Sequence, residues 1–214
     1  MSSSISIIGT GNMARVLAGR ALAGGNAVEV IGRDASKADA LVESIGGGAT
    51  TGRIGTAPAG DIVILALPYA DAAPVVRHFG NALSGKVVID ITNPFNPDLS
   101  GLVTPVDSSA AQEIAKAVPA GAHVVKAFNT IFGHVLAAYT PEDPRPLDVF
   151  IAGDDPDAKT RVAKFIESLA LRPLDVGDLT SARWLEAASM LLMRAMLGKA
   201  LNSNSFSIGL TVRD

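Results

Sequence analysis

Short apolar runs alternate with amphipathic stretches along most of the chain. Strands are predicted at residues 5–8, 28–31, 61–67, 86–90, 123–128, 148–152 and 172–176, with a weaker one at 49–52. Helices are predicted between them, at residues 15–23, 34–45, 71–79, 108–118 and 156–169, with a weak helical turn at 56–60. The unbroken apolar run at 62–67, within the strand at 61–67, is typical of a strand covered on both faces. Such alternation predicts an α/β fold whose sheet is largely parallel and doubly wound.

The last predicted helix, residues 181–201, is apolar around most of its circumference. A helix of this kind is expected to be buried, either on its own sheet or against a second subunit. A homodimer through the C-terminal helix is therefore one of two interpretations. The proline-rich stretch at 139–146 predicts an exposed connection. It divides residues 1–146 from a small C-terminal α/β extension at 147–214, although the two parts can also form one continuous domain.

A glycine motif joins the first strand to the first helix. Gly9, Gly11 and Ala14 follow the G-x-G-x-x-A spacing, with a strand before it and a helix after it. Gly9 would make the tight turn, Gly11 would let a pyrophosphate approach the backbone, and Ala14 would allow close helix–strand packing. The free N–H groups and the dipole at the start of the helix favour phosphates. The motif predicts a Rossmann-type dinucleotide site that includes Gly9, Thr10, Gly11, Asn12 and Met13.

The end of the second strand indicates which dinucleotide is bound. An enzyme that uses NAD places an acidic side chain there, whereas this chain has Gly32 and Arg33, followed by Ser36 and Lys37. A guanidinium can hold a 2′-phosphate through two charge-assisted hydrogen bonds. We therefore expect NADP(H), bound in part by these four residues. Asp34 is expected to cap the helix that follows.

Further candidates follow the carboxyl ends of the later strands, where ligands bind in open α/β sheets. Leu67 and Pro68 end the central strand, and Asn93 follows the next one; all three are predicted to contact the cofactor. Four other residues are candidates for lining the site of a second substrate: Thr92, Asn129, Thr130 and His134.

Composition excludes several other classes of function. The formal net charge of −3 gives no electrostatic reason to expect a nucleic-acid partner. The chain has no cysteine, which removes disulfides, thiolate metal ligands and cysteine catalysis. Its longest apolar runs are too short to cross a bilayer, and the first strand follows the amino terminus too closely for a signal peptide. No membrane association and a cytoplasmic location are therefore expected.

Together these motifs resemble the coenzyme F420-dependent NADP oxidoreductases nearly end to end. The resemblance depends on residues 8–12, 32–37, 61–68, 90–94, 123–130, 152–155 and 171–179. It implies that residues 10–13 hold the pyrophosphate, that Arg33 and Lys37 hold the 2′-phosphate, and that Leu67 and Pro68 lie close to the nicotinamide. It also implies hydride transfer between NADPH and a ring acceptor, coenzyme F420 or a flavin. Family members often have a hydroxyl residue at the position of Gly32.

No Ser-His-Asp spacing, metal-ligand cluster or carboxylate pair predicts a catalytic group or a metal site. Direct hydride transfer needs alignment and exclusion of water more than a general acid, so no catalytic residue is assigned. Two alternatives stay open. One is an NADPH-dependent imine or carbonyl reductase similar to pyrroline-5-carboxylate reductases, which share the stretch at 11–14. The other is an NADP-binding sensor without turnover.

Overall fold

The computed structural model describes residues 3–200 and 202–211 of the chain. Eight strands form one sheet in the order β3-β2-β1-β4-β5-β6-β7-β8. Their bounds are β1 Ser4–Ile8, β2 Ala27–Gly32, β3 Thr50–Arg53, β4 Ile62–Leu65, β5 Val87–Asp90, β6 His123–Lys126, β7 Asp148–Gly153 and β8 Arg172–Asp175. The seven α-helices of this part of the chain are α1 Asn12–Ala23, α2 Ala35–Ile45, α3 Tyr69–Phe79, α4 Ala110–Ala115, α5 Gly133–Ala138, α6 Pro156–Ser168 and α7 Ala182–Leu197.

The sheet is parallel except at one pair of strands. The strands from β3 to β6 run in one direction, and β7 pairs with β6 in the opposite direction, with Val125 opposite Gly153 and Lys126 opposite Ala152. β8 is parallel to β7. The predicted α/β class and the largely parallel, doubly wound sheet are confirmed. The strands after residue 147 extend the same sheet rather than starting a new one.

Apolar side chains cover both faces of the sheet, which is why β1, β4 and β5 are rich in β-branched residues. One buried cluster joins the sheet to helices α1, α2, α5 and α6, and includes an edge-to-face contact between Phe128 and Phe165. A second cluster joins the opposite face to α3 and α4 and to the start of α7. The two layers leave the carboxyl ends of the strands free to carry loops.

Several predicted boundaries differ from the structure. The first helix begins at Asn12 rather than at residue 15, and residues 56–60 contain no helix. The structure adds α5, a six-residue helix that no periodic pattern indicated. Residue 201, the predicted last residue of the long helix, lies outside the described residues.

The expectation that α7 is apolar all round and therefore fully buried is only partly met within this single chain. Trp184 and Leu191 are 66% and 67% exposed, because only one side of the helix packs on the sheet. Within the described ranges, no helix has both the length and the hydropathy needed to cross a membrane.

Candidate functional site

A cleft of about 610 Å³ opens at the carboxyl ends of β1, β2 and β4. The strand order reverses here, since the chain passes outward from β1 to β3 and then returns to β4 on the other side of β1. Open α/β sheets bind ligands at such a switch point. Eight of the predicted cofactor residues line the cleft: Gly9, Thr10, Gly11, Gly32, Arg33, Lys37, Leu67 and Pro68.

The turn after β1 can be made only by glycine. Gly9 has a φ of +134°, and a Cβ atom added to it would lie 2.1 Å from the Ala66 carbonyl oxygen. Its N–H donates to the Ile31 carbonyl at 2.8 Å, which fixes the turn against β2. The turn therefore brings the start of α1 directly over the ends of β2 and β4.

The start of α1 has the properties of an anion site. Gly11 precedes the helix and no side chain caps it, so the first N–H groups of α1 are free to bind a ligand. A Cβ atom at Gly11 would meet nothing within 4 Å, so the space above the backbone is open. The first turn contains no acidic residue. These features fit the pyrophosphate of a dinucleotide.

Neither Asn12 nor Met13 lines the cleft, unlike the other three residues predicted for this part of the site, Gly9, Thr10 and Gly11. A Cβ atom added to Gly133, at the start of α5, would lie 2.6 Å from Asn12 Nδ2 and 3.1 Å from Met13 Sδ. Both side chains thus lie against α5. Their predicted contact with the pyrophosphate would have to come from their backbone N–H groups.

The predicted 2′-phosphate residues divide into two groups. Arg33 and Lys37 line the cleft and are exposed, and neither makes a side-chain hydrogen bond or ion pair within the described residues. Ser36 does not line the cleft; its hydroxyl donates to Oδ1 of Asp34, which does line it, at 2.6 Å. Asp34 caps α2 as predicted, by accepting from the Ser36 N–H at 3.0 Å. These hydrogen bonds from Ser36 lower the pKa of the Asp34 carboxyl.

The far wall of the cleft was not predicted from the sequence. Ile54, Pro74, Val75 and His78 line it together with Asp71. Ile54 lies beyond β3, and the others belong to α3, so the wall is formed by two segments that are separate in sequence. Only the helical spacing from Asp71 through Val75 to His78 could have suggested one shared face.

The loops after β5 and β6 form a second, closed region. Asn93 Nδ2 donates to the Asn129 carbonyl at 3.0 Å, and Asn129 Nδ2 donates to Asn93 Oδ1 at 3.0 Å. Asn129 Nδ2 also donates to the Leu185 carbonyl of α7, and the Ser189 hydroxyl donates to the Asn129 carbonyl. The structure therefore brings Asn93 and Asn129 together, but beneath α7 rather than in the open cleft.

The other predicted substrate residues are similarly distributed. Thr92 and Thr130 are buried, at 4% and 3% exposure. His134 is exposed, and its Nε2 lies 2.7 Å from the Asn204 carbonyl oxygen of the C-terminal segment. Thr92 Oγ1 and Asn129 Oδ1 are buried without a hydrogen-bond partner in the part of the chain described. Their role in substrate binding stays a prediction.

Sequence reasoning missed a buried ion cluster next to these loops. Lys126 Nζ donates to Asp90 Oδ2 at 2.8 Å, to Glu186 Oε1 at 2.8 Å and to the Thr92 carbonyl at 2.6 Å. All three charged side chains are fully buried. Burial raises the pKa of the Glu186 carboxyl, against the lowering effect of Lys126. Two features of the sequence could have indicated this cluster. Asp90 and Lys126 are polar residues near the ends of two predicted strands, and Glu186 is the one glutamate in an apolar helix.

Comparisons with known proteins indicate the family of the chain. The family model described as NADP oxidoreductase, coenzyme F420-dependent, matches residues 4–94. An F420-dependent NADP reductase of Methanothermobacter marburgensis is 30% identical over 201 residues, which cover 86% of this chain and 88% of that protein. The rat metalloreductase STEAP3 is 30% identical over 189 residues, or 88% of this chain. This chain spans only 37% of the length of that protein.

A solved structure of a candidate F420-dependent NADP reductase from Arthrobacter sp. FB24 has the same fold. It superposes with a TM-score of 0.84 at 24% identity, and the alignment covers 98% of this chain and 100% of the other. The alignment extends over the strands after residue 147, so the likeness of fold is not limited to the first part of the chain.

Proposed function

The chain belongs to the coenzyme F420-dependent NADP oxidoreductase family, and on this premise we propose that it transfers hydride between NADPH and a ring acceptor, either the deazaflavin coenzyme F420 or a flavin. The observation that carries the proposal is the open cleft at the switch point, where a glycine turn and a free helix start meet two unpaired cations within the described residues.

The choice of NADP rests on charge at the end of β2. Arg33 and Lys37 are exposed at the cleft, and Gly32 occupies the last position of β2. The neighbouring carboxylate, Asp34, also lines the cleft, but it caps α2. A Cβ atom at Gly32 would lie 2.9 Å from both Thr10 Cγ2 and the Asp34 carbonyl oxygen. A larger side chain would therefore be strained at this position. The two cations, rather than a hydroxyl at residue 32, would hold the 2′-phosphate.

The cofactor supplies the hydride when it is bound, and the protein supplies binding, orientation and exclusion of water. The start of α1 would hold the pyrophosphate. Leu67 and Pro68 would present an apolar wall to the nicotinamide ribose. The closed region around Asn93 and Asn129 would limit the space in which the acceptor ring can stack. Reduction of a ring acceptor also consumes one proton, for which we assign no side chain.

An acceptor panel tests the proposal. NADPH oxidation would be followed with oxidised F420, FMN, riboflavin and pyrroline-5-carboxylate, with NADH in parallel. We expect turnover with F420 or a flavin and a clear preference for NADPH. Turnover with the imine alone would support the imine-reductase alternative and discard the ring acceptor. Tight NADPH binding without oxidation by any acceptor would instead support the sensor.

The exposed apolar side chains of α7 support a proposal about assembly. Trp184 and Leu191 lie on a different side of α7 from the residues that pack on the sheet. We propose that they form a homodimer contact. Light scattering of wild type and Trp184→Ala tests it, and a monomeric wild type would refute it.

We propose a cytoplasmic location, consistent with the absence of cysteine; fractionation of the source cells tests it.

A further inference from the structure

The buried cluster of Lys126, Asp90 and Glu186 belongs to neither the cofactor cleft nor the apolar core. None of its three residues lines the cleft. Each of the three protons on Lys126 Nζ has one acceptor, so the ammonium is fully satisfied. The side chains come from three elements, β5, β6 and α7, so the cluster joins the C-terminal helix to the carboxyl edge of the sheet.

Stability does not account for such a cluster. Removing charges from water costs several kcal/mol per ion, and apolar replacements of similar volume are often neutral or stabilising. With two carboxylates for one ammonium, the formal charge of the cluster is also unbalanced. What a fully hydrogen-bonded buried cluster does provide is one defined geometry for the backbone around it.

The backbone fixed in this way is the loop after β5. The Thr92 carbonyl accepts from Lys126 Nζ, and the Thr92 N–H donates to Asp90 Oδ1 at 2.8 Å. The cluster therefore holds both the N–H and the carbonyl group of the Thr92 backbone. Asn93 is the next residue, and its side chain exchanges two hydrogen bonds with Asn129, in the loop after β6.

Glu186 extends the same constraint to two helices. Its Oε1 accepts from Lys126, and its Oε2 accepts from the Ala110 N–H at the start of α4 at 3.1 Å. One turn along α7, Ser189 donates to the Asn129 carbonyl. The position of α7 over the two loops therefore depends on the cluster at one point and on Asn129 at another.

We propose that Lys126, Asp90 and Glu186 are positioning residues that hold the loops after β5 and β6 at the distance and orientation required for hydride transfer. This inference deepens the proposed function and rests on it. The cluster touches neither cofactor nor acceptor. It acts through Thr92, Asn93 and Asn129, so its loss should slow the transfer step while leaving the 2′-phosphate and pyrophosphate contacts intact.

Glu186→Gln and Lys126→Met are the test variants, and Lys126→Arg is the conservative one. Lys86→Met is the matched control, because Lys86 also donates to a backbone carbonyl, that of Gly60, but before β5, at the amino edge of the sheet. The readouts are the NADPH dissociation constant, the single-turnover rate of transfer to the acceptor that wild type uses, and hydrogen exchange at residues 91–97 and 129–134.

We expect Glu186→Gln to lower the transfer rate by about 10- to 100-fold, the size of effect that a misplacement of about 1 Å produces. The dissociation constant of NADPH should stay within about twofold of wild type, and amides of the two loops should exchange faster. Lys126→Arg should recover part of the transfer rate lost in Lys126→Met. Lys86→Met should match wild type in all three readouts.

Three results would overturn the inference. The transfer rates of Glu186→Gln and Lys126→Met could equal that of wild type, or the rate and NADPH affinity could fall together in proportion to lost folded protein. Alternatively, the loops could exchange as slowly as in wild type. If wild type reduces no acceptor, the proposed function fails, and hydrogen exchange then tests the positioning role separately. Loop amides that exchange in the variants as slowly as in wild type would refute that role as well.

Discussion

The proposed cofactor cleft differs from the closed edge, by which we mean the buried cluster of Lys126, Asp90 and Glu186. The two are built in opposite ways, although both lie at the carboxyl ends of strands. In the cleft, Arg33 and Lys37 are exposed and unpaired in the described structure, ready for a ligand. At the closed edge, Lys126 is fully buried and each of its protons has an acceptor. The charges that are proposed to bind a ligand are open to water, whereas the charges that hold the protein's own loops are paired with one another.

The two regions also differ in how far apart their parts lie in the sequence. The cleft is built largely from a turn and two strand ends within the first 40 residues, and the rest of its wall lies before residue 80. The closed edge joins residues 90, 126 and 186. Its contacts exist only after β6 has joined the sheet and α7 has packed over it. Four substitutions test this contrast and are given in decreasing order of expected effect.

Removal of the buried ammonium should have the largest effect. Lys126→Met leaves two buried carboxylates without their partner and should lower the free energy of unfolding by about 3–5 kcal/mol. Lys86→Met loses one hydrogen bond to a backbone carbonyl and should cost about 0.5–1.5 kcal/mol. Urea unfolding at neutral pH measures both. Equal losses in the free energy of unfolding would show that the pairing of Lys126 in the cluster stabilises the fold no more than the single hydrogen bond of half-buried Lys86 does.

The glycine turn should be the most sensitive point of the cleft. Gly9→Ala adds a Cβ atom at φ +134° and 2.1 Å from a carbonyl oxygen, and should cost about 3 kcal/mol of stability. Gly25→Ala is the control, since Gly25 also has a positive φ, +76°, but its Cβ would meet nothing within 4 Å. It should cost about 1–2 kcal/mol. If the two variants unfold alike in urea, the close approach to Ala66 is not the constraint.

The exposed cation should matter for binding and hardly at all for stability. Arg33→Ala should weaken NADP binding by about 1.5–3 kcal/mol, as expected for the loss of hydrogen bonds to a charged group, and should leave NAD binding unchanged. Titration calorimetry with both nucleotides measures the difference. Arg77→Ala, on α3 and outside the lining of the cleft, should change neither affinity. A similar loss for NADP and NAD would remove the 2′-phosphate from this position.

The smallest effect is the dependence of stability on pH at the closed edge. Burial raises the pKa of Glu186 in the folded protein above the value of about 4.3 expected in the unfolded chain. The folded state therefore takes up this proton first as pH falls, and protonation stabilises it relative to the unfolded state. Glutamine carries no such proton. The stability of wild type relative to Glu186→Gln should thus increase from pH 8 to pH 5.

The increase should be about 1.4 kcal/mol for each pH unit between pH 8 and pH 5 that lies below the folded-state pKa of Glu186. Urea unfolding of both proteins at intervals of one pH unit measures it. A stability difference that stays constant, or that shrinks on acidification, would contradict the raised pKa.

The sequence predicted most of what depends on neighbours along the chain. The strand–turn–helix around Gly9, the capping of α2 by Asp34 and the alternation of strands and helices all follow from local patterns, and the structure has them. α5 was missed because its six residues are too few for a helical period to show. The start of α1 was placed late, because Asn12 has no capping or apolar signal of its own.

Contacts between distant segments could not be predicted in the same way. A lysine near the end of a strand is ordinarily expected to be exposed, and Lys126 is buried because it is paired with buried Asp90 on β5 and buried Glu186 on α7. Thr92 and Asn129 were correctly placed near the carboxyl edge of the sheet. Their burial beneath α7 depends on how one face of that helix packs, which its nearly uniform apolar composition does not specify.

The most direct test is to trace the transferred hydrogen. NADPH carrying deuterium at both C4 positions would be oxidised by the protein in a single turnover with oxidised F420, in ordinary water. We expect deuterium on the carbon of the deazaflavin that corresponds to N5 of a flavin, with a primary isotope effect on the rate. Reduced F420 without deuterium at that carbon would contradict direct transfer between two rings aligned at this cleft.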